Sequence, residues 1–184
     1  MPLLLHLIAS DLRAKADWLY EDSGWLAVAK VMLTDGTPAM IWYRLMQWAR
    51  RWRLVPMEMI FNRINSMCCG CVIGRGAEFG PRFVLIHSMG VVINGSVRGG
   101  TDIRIEHQVT IGAERRQSPV VGDGVFIGAG AKIIGSITVG SGAKVGANAV
   151  VIHDVPPHAT VVGIPAKVVR QRLQNGKSVP QSNS

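Results

Sequence analysis

Between residues 67 and 156 an apolar side chain returns at every sixth position, and a period of six admits very few backbones. The run passes from Met67 through Ile73, Phe79, Leu85, Val91, Val97, Ile103, Val109, Arg115, Val121, Ile127, Ile133, Val139 and Val145 to Val151, with Arg115 alone breaking it. Four residues after each start stands a second, usually small residue, Ala77, Ala131, Ala143 and Ala149 among them. A helix repeats every ~3.6 residues and a strand every ~2, so neither fits by itself. A short strand followed by a tight turn, repeated, does fit, and hexapeptide self-similarity of this kind marks a parallel β-helix. Three hexads close one triangular coil, so the run makes about five coils stacked over roughly 24 Å. The starts line the core. The residues four later face inward at the corners, which places Met89, Thr101 and His107 inside as well. Glycine supplies the turn dihedrals between them. A sandwich of short strands would not keep one register over such a length.

The remaining sequence divides around this block into an N-terminal helical region, 1–66, and a C-terminal extension and tail, 157–184. Residues 3–33 read as helical with a break at Asp22-Ser23-Gly24. Asp35-Gly36-Thr37-Pro38 reads as a turn, with Pro38 suited to the first turn of the next helix. That helix, 39–54, carries Trp42, Arg44, Trp48, Arg50, Arg51, Trp52 and Arg53, and Pro56 ends or kinks it. Such a stripe packs as core or subunit contact; a basic, tryptophan-bearing helix also fits the surface of a membrane. Beyond Pro156-Pro157, a short helical stub follows Val169, and Gln174–Ser184 is polar and frayed.

Net charge is +8, but it is spread along the chain rather than gathered in a basic stripe with interleaved aromatics, which argues against nucleic acid as a partner. An anionic small ligand or an anionic membrane surface fits it. Cys68, Cys69 and Cys71 are too close together for a disulfide framework and lack a second, separated pair for zinc. They read as reduced thiols of a cytoplasmic protein, and no metal is expected. Met1–Ala9 lacks the basic start and cleavage site of a signal peptide, and no run is long enough to span a membrane.

The segments Leu85-Ile-His87-Ser-Met-Gly-Val-Val-Ile93, Val109-Thr-Ile-Gly112, Ile127-Gly-Ala-Gly-Ala-Lys132, Val155-Pro-Pro-His-Ala-Thr160 and Gly163-Ile-Pro-Ala-Lys167 resemble the serine acetyltransferases in order and spacing. The likeness runs over about residues 8–170. It implies a left-handed β-helix and an acetyl-CoA-dependent O-acetyltransferase. His87, at an outward or corner position of its hexad, matches the family's catalytic histidine. Removing a hydroxyl proton during attack on a thioester suits a neutral imidazole near neutral pH. The likeness also implies a donor groove between neighbouring subunits of a homotrimer. Turn amides at Gly112, Ala113, Gly130, Ala131, Gly146 and Ala147 are its candidates for the pantetheine chain, and Lys132, Lys144, Lys167 and Arg170 for the phosphates.

This sequence departs from the family where the acceptor is held. The partner aspartate of the histidine corresponds to Val72, the acceptor-binding aspartate to Ile86, and the family's Arg-His pair to Gln117-Ser118 in a shortened loop. Asp22 is a loose counterpart of an N-terminal aspartate. With these charges gone, a sugar hydroxyl fits better than L-serine, and Val91-Val-Ile-Asn94 resembles the exopolysaccharide O-acetyltransferases of colanic-acid type. Asn94, His107, Arg116, Gln117 and Ser118 are the candidate acceptor contacts. On this reading the chain is a cytoplasmic sugar O-acetyltransferase working at the inner face of the membrane. The alternatives are a serine O-acetyltransferase and, outside catalysis, a β-helical scaffold.

Overall fold

Four helices precede the repeat in the computed structural model, which describes residues 2–114, 117–172 and 178–180. Helix α1 spans Pro2–Tyr20, α2 Trp25–Val31, α3 Thr37–Arg51 and α4 Val55–Cys69. Pro38 and Pro56 sit in the first turns of α3 and α4, where a missing amide costs nothing. Helix α4 closes on Gly70 at φ +57°. It therefore runs through residue 67, and Met67 is an exposed helical residue rather than the first coil position. Among the described residues no helix is long and apolar enough to cross a membrane.

The repeat forms a three-faced prism of parallel strands. The first face stacks β1 (Val72–Ile73), β4 (Val92–Ile93), β7 (Thr110–Gly112), β10 (Lys132–Ile134) and β13 (Val150–Val151). The second stacks β2 (Glu78–Phe79), β5 (Arg98–Gly99), β8 (Val120–Val121) and β11 (Thr138–Val139). The third stacks β3 (Val84–Leu85), β6 (Arg104–Ile105), β9 (Phe126–Ile127), β12 (Lys144–Val145) and β14 (Ala159–Val162). Strands β1 to β12 thus complete four turns, and β13 and β14 begin another. Two antiparallel strands, β15 (Lys167–Arg172) and β16 (Ser178–Pro180), extend the third face, so the segment expected to turn helical after Val169 is extended instead.

The single six-residue frame is broken twice. Ile73 pairs with Ile93, 20 residues on, Ile93 with Ile111, 18 on, and Ile111 with Ile133, 22 on. Against an 18-residue coil, the corner after Leu85 therefore holds two extra residues and the loop after Ile111 four, which together equal one hexad and restore the frame. Between the two insertions the true inward starts are Ile93, Gly99, Ile105 and Ile111, while Val91, Val97, Ile103 and Val109 are their buried companions. Both sets are apolar, so the sequence pattern hides the shift. The residues placed inside by the unbroken frame are turned out: Met89 is 60% exposed, Thr101 is exposed, and His107 is 44% exposed. Gly99 is a start with no side chain because the Phe79 ring fills its place; a Cβ there would lie 2.2 Å from that ring.

The helical region is locked to the prism by a buried ion pair. Arg44 of α3 donates to both carboxylate oxygens of Asp11 on α1, at 2.6 and 3.0 Å, and to the Phe79 and Gly80 carbonyls, at 2.9 and 2.6 Å. Asp11 in turn accepts from the Phe83 amide at 3.0 Å. Both members of the pair thus also bond backbone groups of the prism. Tyr43 closes the first coil against Phe83, donating to the Ala77 carbonyl and accepting from the Phe79 amide. The inner side of α3 is consumed by these contacts, and Trp42 stacks on Phe61, which removes most of the apolar face that a membrane-surface helix would need. Helix α1 lies over the outer side of the third face, where Ala14 packs on Val84 and Ile86 and Trp18 stacks on Phe126 at 5.6 Å.

Candidate active site

The turn between α2 and α3 carries the chain to the prism corner where the third face passes into the first. Thr34 and Thr37 both donate to the Val31 carbonyl, closing the end of α2. Gly36 follows at φ +79°, a conformation that disfavours side chains, and a Cβ there would lie 2.4 Å from the Leu85 carbonyl oxygen. Only glycine lets the turn approach β3 this closely. The approach sets Asp35 beside the residues that follow Leu85. Beneath the turn, the buried ammonium of Lys15 donates to the Asp35 backbone carbonyl.

Asp35 meets His87 there. Its Oδ2 is 3.2 Å from His87 Nδ1 and 3.4 Å from the Ser88 amide, while Oδ1 is 3.0 Å from Ser88 Oγ and 2.7 Å from the Gly36 amide. Burial pushes the Asp35 carboxyl up, but its hydrogen bonds from Ser88, Gly36 and His87 outweigh that and hold it below the ordinary carboxylate value. An ionised Asp35 accepts Nδ1–H, which leaves the lone pair of His87 on Nε2. His87 is 53% exposed, and the His107 ring stands 5.9 Å away, edge-on. Asp35, His87, Met89, Gly90, His107 and Gln108 enclose an open hollow of about 520 Å³. The extra two residues of the corner are what raise His87 and Met89 clear of the prism.

The other candidates divide by corner. Lys132 joins the His87 column: its Nζ donates to the Gln108 and Gly130 carbonyls at 2.7 and 2.9 Å. The amides of Gly130, Ala131 and Gly146 are already donated to the His107, Gly128 and Val161 carbonyls; the half-buried Gly130 and Gly146 can offer a ligand carbonyl and Cα surface but not N–H, and Ala131 is a core residue that a ligand cannot reach. Ala147 belongs to the same column. Gly163 to Ala166 run beside β13, through backbone bonds with Val150, and lead into Lys167. Lys144 and Arg170 lie elsewhere, lining a cavity of about 140 Å³ with His158. Gly112, Ala113, Asn94 and Gln117 lie at the opposite edge of the first face. There Asn94 Oδ1 accepts from the Ser96 amide and from Ser96 and Ser118 hydroxyls. Arg116 falls outside the described residues. Asp22 is spent on the Gly24 amide at 2.8 Å in the α1–α2 turn and does not line the hollow. Ile86, at the family's acceptor-aspartate position, is buried under α1 and cannot reach a ligand.

Asp35 itself is legible in the sequence only as a turn residue. Burial raises the thiols of Cys69 and Cys71, the latter to about 12, and so keeps both protonated.

Residues 118–153 match the family of bacterial transferase hexapeptide (six repeats). The serine acetyltransferase of Bacillus subtilis (strain 168) is 37% identical over 155 residues, covering 82% of this chain and 70% of the relative. The chain belongs to the serine acetyltransferase family. The Mycobacterium tuberculosis serine acetyltransferase is likewise 37% identical, over 91% of this chain and 74% of its own length. Among solved structures of the family, the Vibrio cholerae serine acetyltransferase superposes with a TM-score of 0.85 at 31% identity, covering 96% of this chain and 69% of its own. A serine acetyltransferase in complex with CoA superposes at 0.81 and 31%, covering 91% and 70%. The serine acetyltransferases are CoA-dependent acyltransferases, and the enzyme class expected from the His87 segment stands. The family favours serine as acceptor and lends the sugar reading no support.

Proposed function

We propose that this chain transfers the acetyl group of acetyl-CoA to the hydroxyl of L-serine, with His87 as general base and Asp35 orienting it. The observation that carries the reading is the 3.2 Å contact of Asp35 Oδ2 with His87 Nδ1 on an open corner of the prism. It supplies the carboxylate–imidazole pair that Val72 would otherwise deny the chain. Nε2 of His87 takes the proton of the acceptor hydroxyl as its oxygen attacks the thioester carbonyl. The C–S bond then breaks, and the imidazolium returns the proton to the departing thiolate. Asp35 stabilises the imidazolium in between without taking the proton.

The column from Gly90 through Gln108, Gly130 and Ala147 to Ala166, part exposed and part half-buried, is the donor track, with Lys132 and Lys167 as its cations. Lys132 is held beside the His87 hollow and suits an anionic stretch of the donor. In a left-handed, trimeric arrangement a neighbouring subunit would bring its own first-face edge, with Asn94 and Gln117, to the open side of His107 and complete the acceptor site. Two of the family's acceptor contacts are missing, so His107 and Gln108 are the acceptor contacts this protomer itself offers.

The test is release of free CoA thiol from acetyl-CoA with L-serine, compared with nucleotide sugars and oligosaccharides. Serine-dependent release that exceeds the sugars supports the reading; release driven by sugars alone overturns it.

A further inference from the structure

Lys15 plays no part in the chemistry above, yet it is fully buried on α1. Its ammonium lies directly beneath the α2–α3 turn, 3.0 Å from where a Gly36 Cβ would stand. Among the described residues, its hydrogen bonding is confined to the Asp35 carbonyl. A buried ammonium with so few acceptors is costly, and an apolar side chain of similar length would pack there at lower cost. Packing therefore does not account for a lysine. Desolvation pulls the ammonium down to about 8, and the nearby Asp35 carboxylate works against that pull. The other titratable groups facing this unit are the Cys69 and Cys71 thiols near Asp35, both kept neutral by burial, and His107 beside His87, with Glu106 3.6 Å from His107.

We propose that Lys15 is a positioning residue for the reaction: it pins the turn so that Asp35 reaches His87, and its charge offsets that of Asp35 so that His87 stays in the neutral, proton-accepting form. This rests on His87 being the base. A carboxylate beside an imidazole favours the imidazolium. A cation behind the carboxylate weakens that field while leaving the hydrogen bond to Nδ1 intact. The helical region is in this way part of the catalytic apparatus, since α1 supplies the cation and the α2–α3 turn supplies the carboxylate.

The test compares Lys15→Met and Lys15→Arg with the parent protein. Lys15→Met should fold at least as stably, lower kcat by about tenfold with little change in KM, and move the acidic limb of kcat/KM to higher pH by about half a unit. Lys15→Arg keeps the charge and should keep the limb in place. A folded Lys15→Met with parental kcat and an unmoved limb overturns the proposal, as does a limb that moves equally in both variants. A second measurement does not require either variant to fold. In Asp35→Asn, altered at an exposed side chain, the Lys15 ammonium followed by nitrogen-15 NMR should titrate at lower pH than in the parent. No movement there also overturns the proposal. If the parent protein fails to acetylate L-serine, the functional reading fails, while this NMR titration still decides whether Lys15 and Asp35 are coupled.

Discussion

Asp35 Oδ2 and His87 Nδ1 stand 3.2 Å apart across 52 residues of chain, one on a turn of the helical region and the other on a corner of the β-helix. Among the described residues of the prism, no carboxylate pairs with His87. The helical region brings the carboxylate, and the ion pair of Asp11 with Arg44 fixes how the two parts sit together.

Replacing Asp35 with Asn keeps the size of the side chain but removes the charge that stabilises the imidazolium. It should lower kcat by about 10- to 100-fold while KM for acetyl-CoA changes less than threefold, on the usual scale for assisted proton transfer. Steady-state kinetics at saturating serine, with circular dichroism as the control for folding, check this.

Gly36→Ala tests the delivery of Asp35 rather than its chemistry. The new Cβ would enter the space of the Leu85 carbonyl at a positive φ. The variant should lose about 1–3 kcal/mol in stability from backbone strain. Its activity should fall as far as that of Asp35→Asn, although every catalytic side chain is retained. Urea denaturation and the thiol-release assay together read both effects.

Arg44→Met leaves Asp11 buried without its partner. Stability should fall by about 3–5 kcal/mol, the usual cost of stranding one member of a buried pair. Changing both residues to apolar ones of similar size should recover much of the loss. Paired denaturation curves measure it.

Lys15 also gives the fold a pH dependence with a definite sign. Unfolded, a lysine titrates near ~10.4; folded, Lys15 does so at about 8. Between those values the unfolded chain holds a proton that the folded chain has released, so the Lys15 contribution to stability rises with pH across that window. Cys71 acts in the opposite sense at higher pH, because its thiol is held protonated to about 12 in the fold. The difference between parent and Lys15→Met isolates the lysine. Chemical denaturation at pH 7.5 to 10 should show the parent gaining stability relative to the variant.

The β-helix is legible from the repeat because most hexad starts and their companions are apolar, so either frame predicts a buried spine. The same redundancy concealed the two insertions. Val91 and Val109 satisfy the six-residue count whether they are starts or companions, and so the unbroken count puts His107 inside, whereas it lines the hollow. The break at Asp22-Ser23-Gly24 and the helix start at Pro38 are local signals; Pro56, which the sequence marks as the end or kink of the preceding helix, instead stands in the first turn of α4. The pairing of His87 with Asp35 was not readable, because it depends on the docking of α1 and α3 through Asp11 and Arg44, and no spacing in the sequence encodes that contact. The match to the family's aspartate falls on Val72, whereas the carboxylate that stands beside His87 comes from another element, the α2–α3 turn.

His87→Ala probes the account most directly, measured as CoA thiol release from acetyl-CoA in the presence of L-serine. The side chain is half exposed and its removal disturbs no core contact. The account predicts a properly folded protein whose kcat is reduced by about 10²–10⁴-fold, the range for loss of a general base. A folded His87→Ala that releases thiol at the parental rate would contradict it.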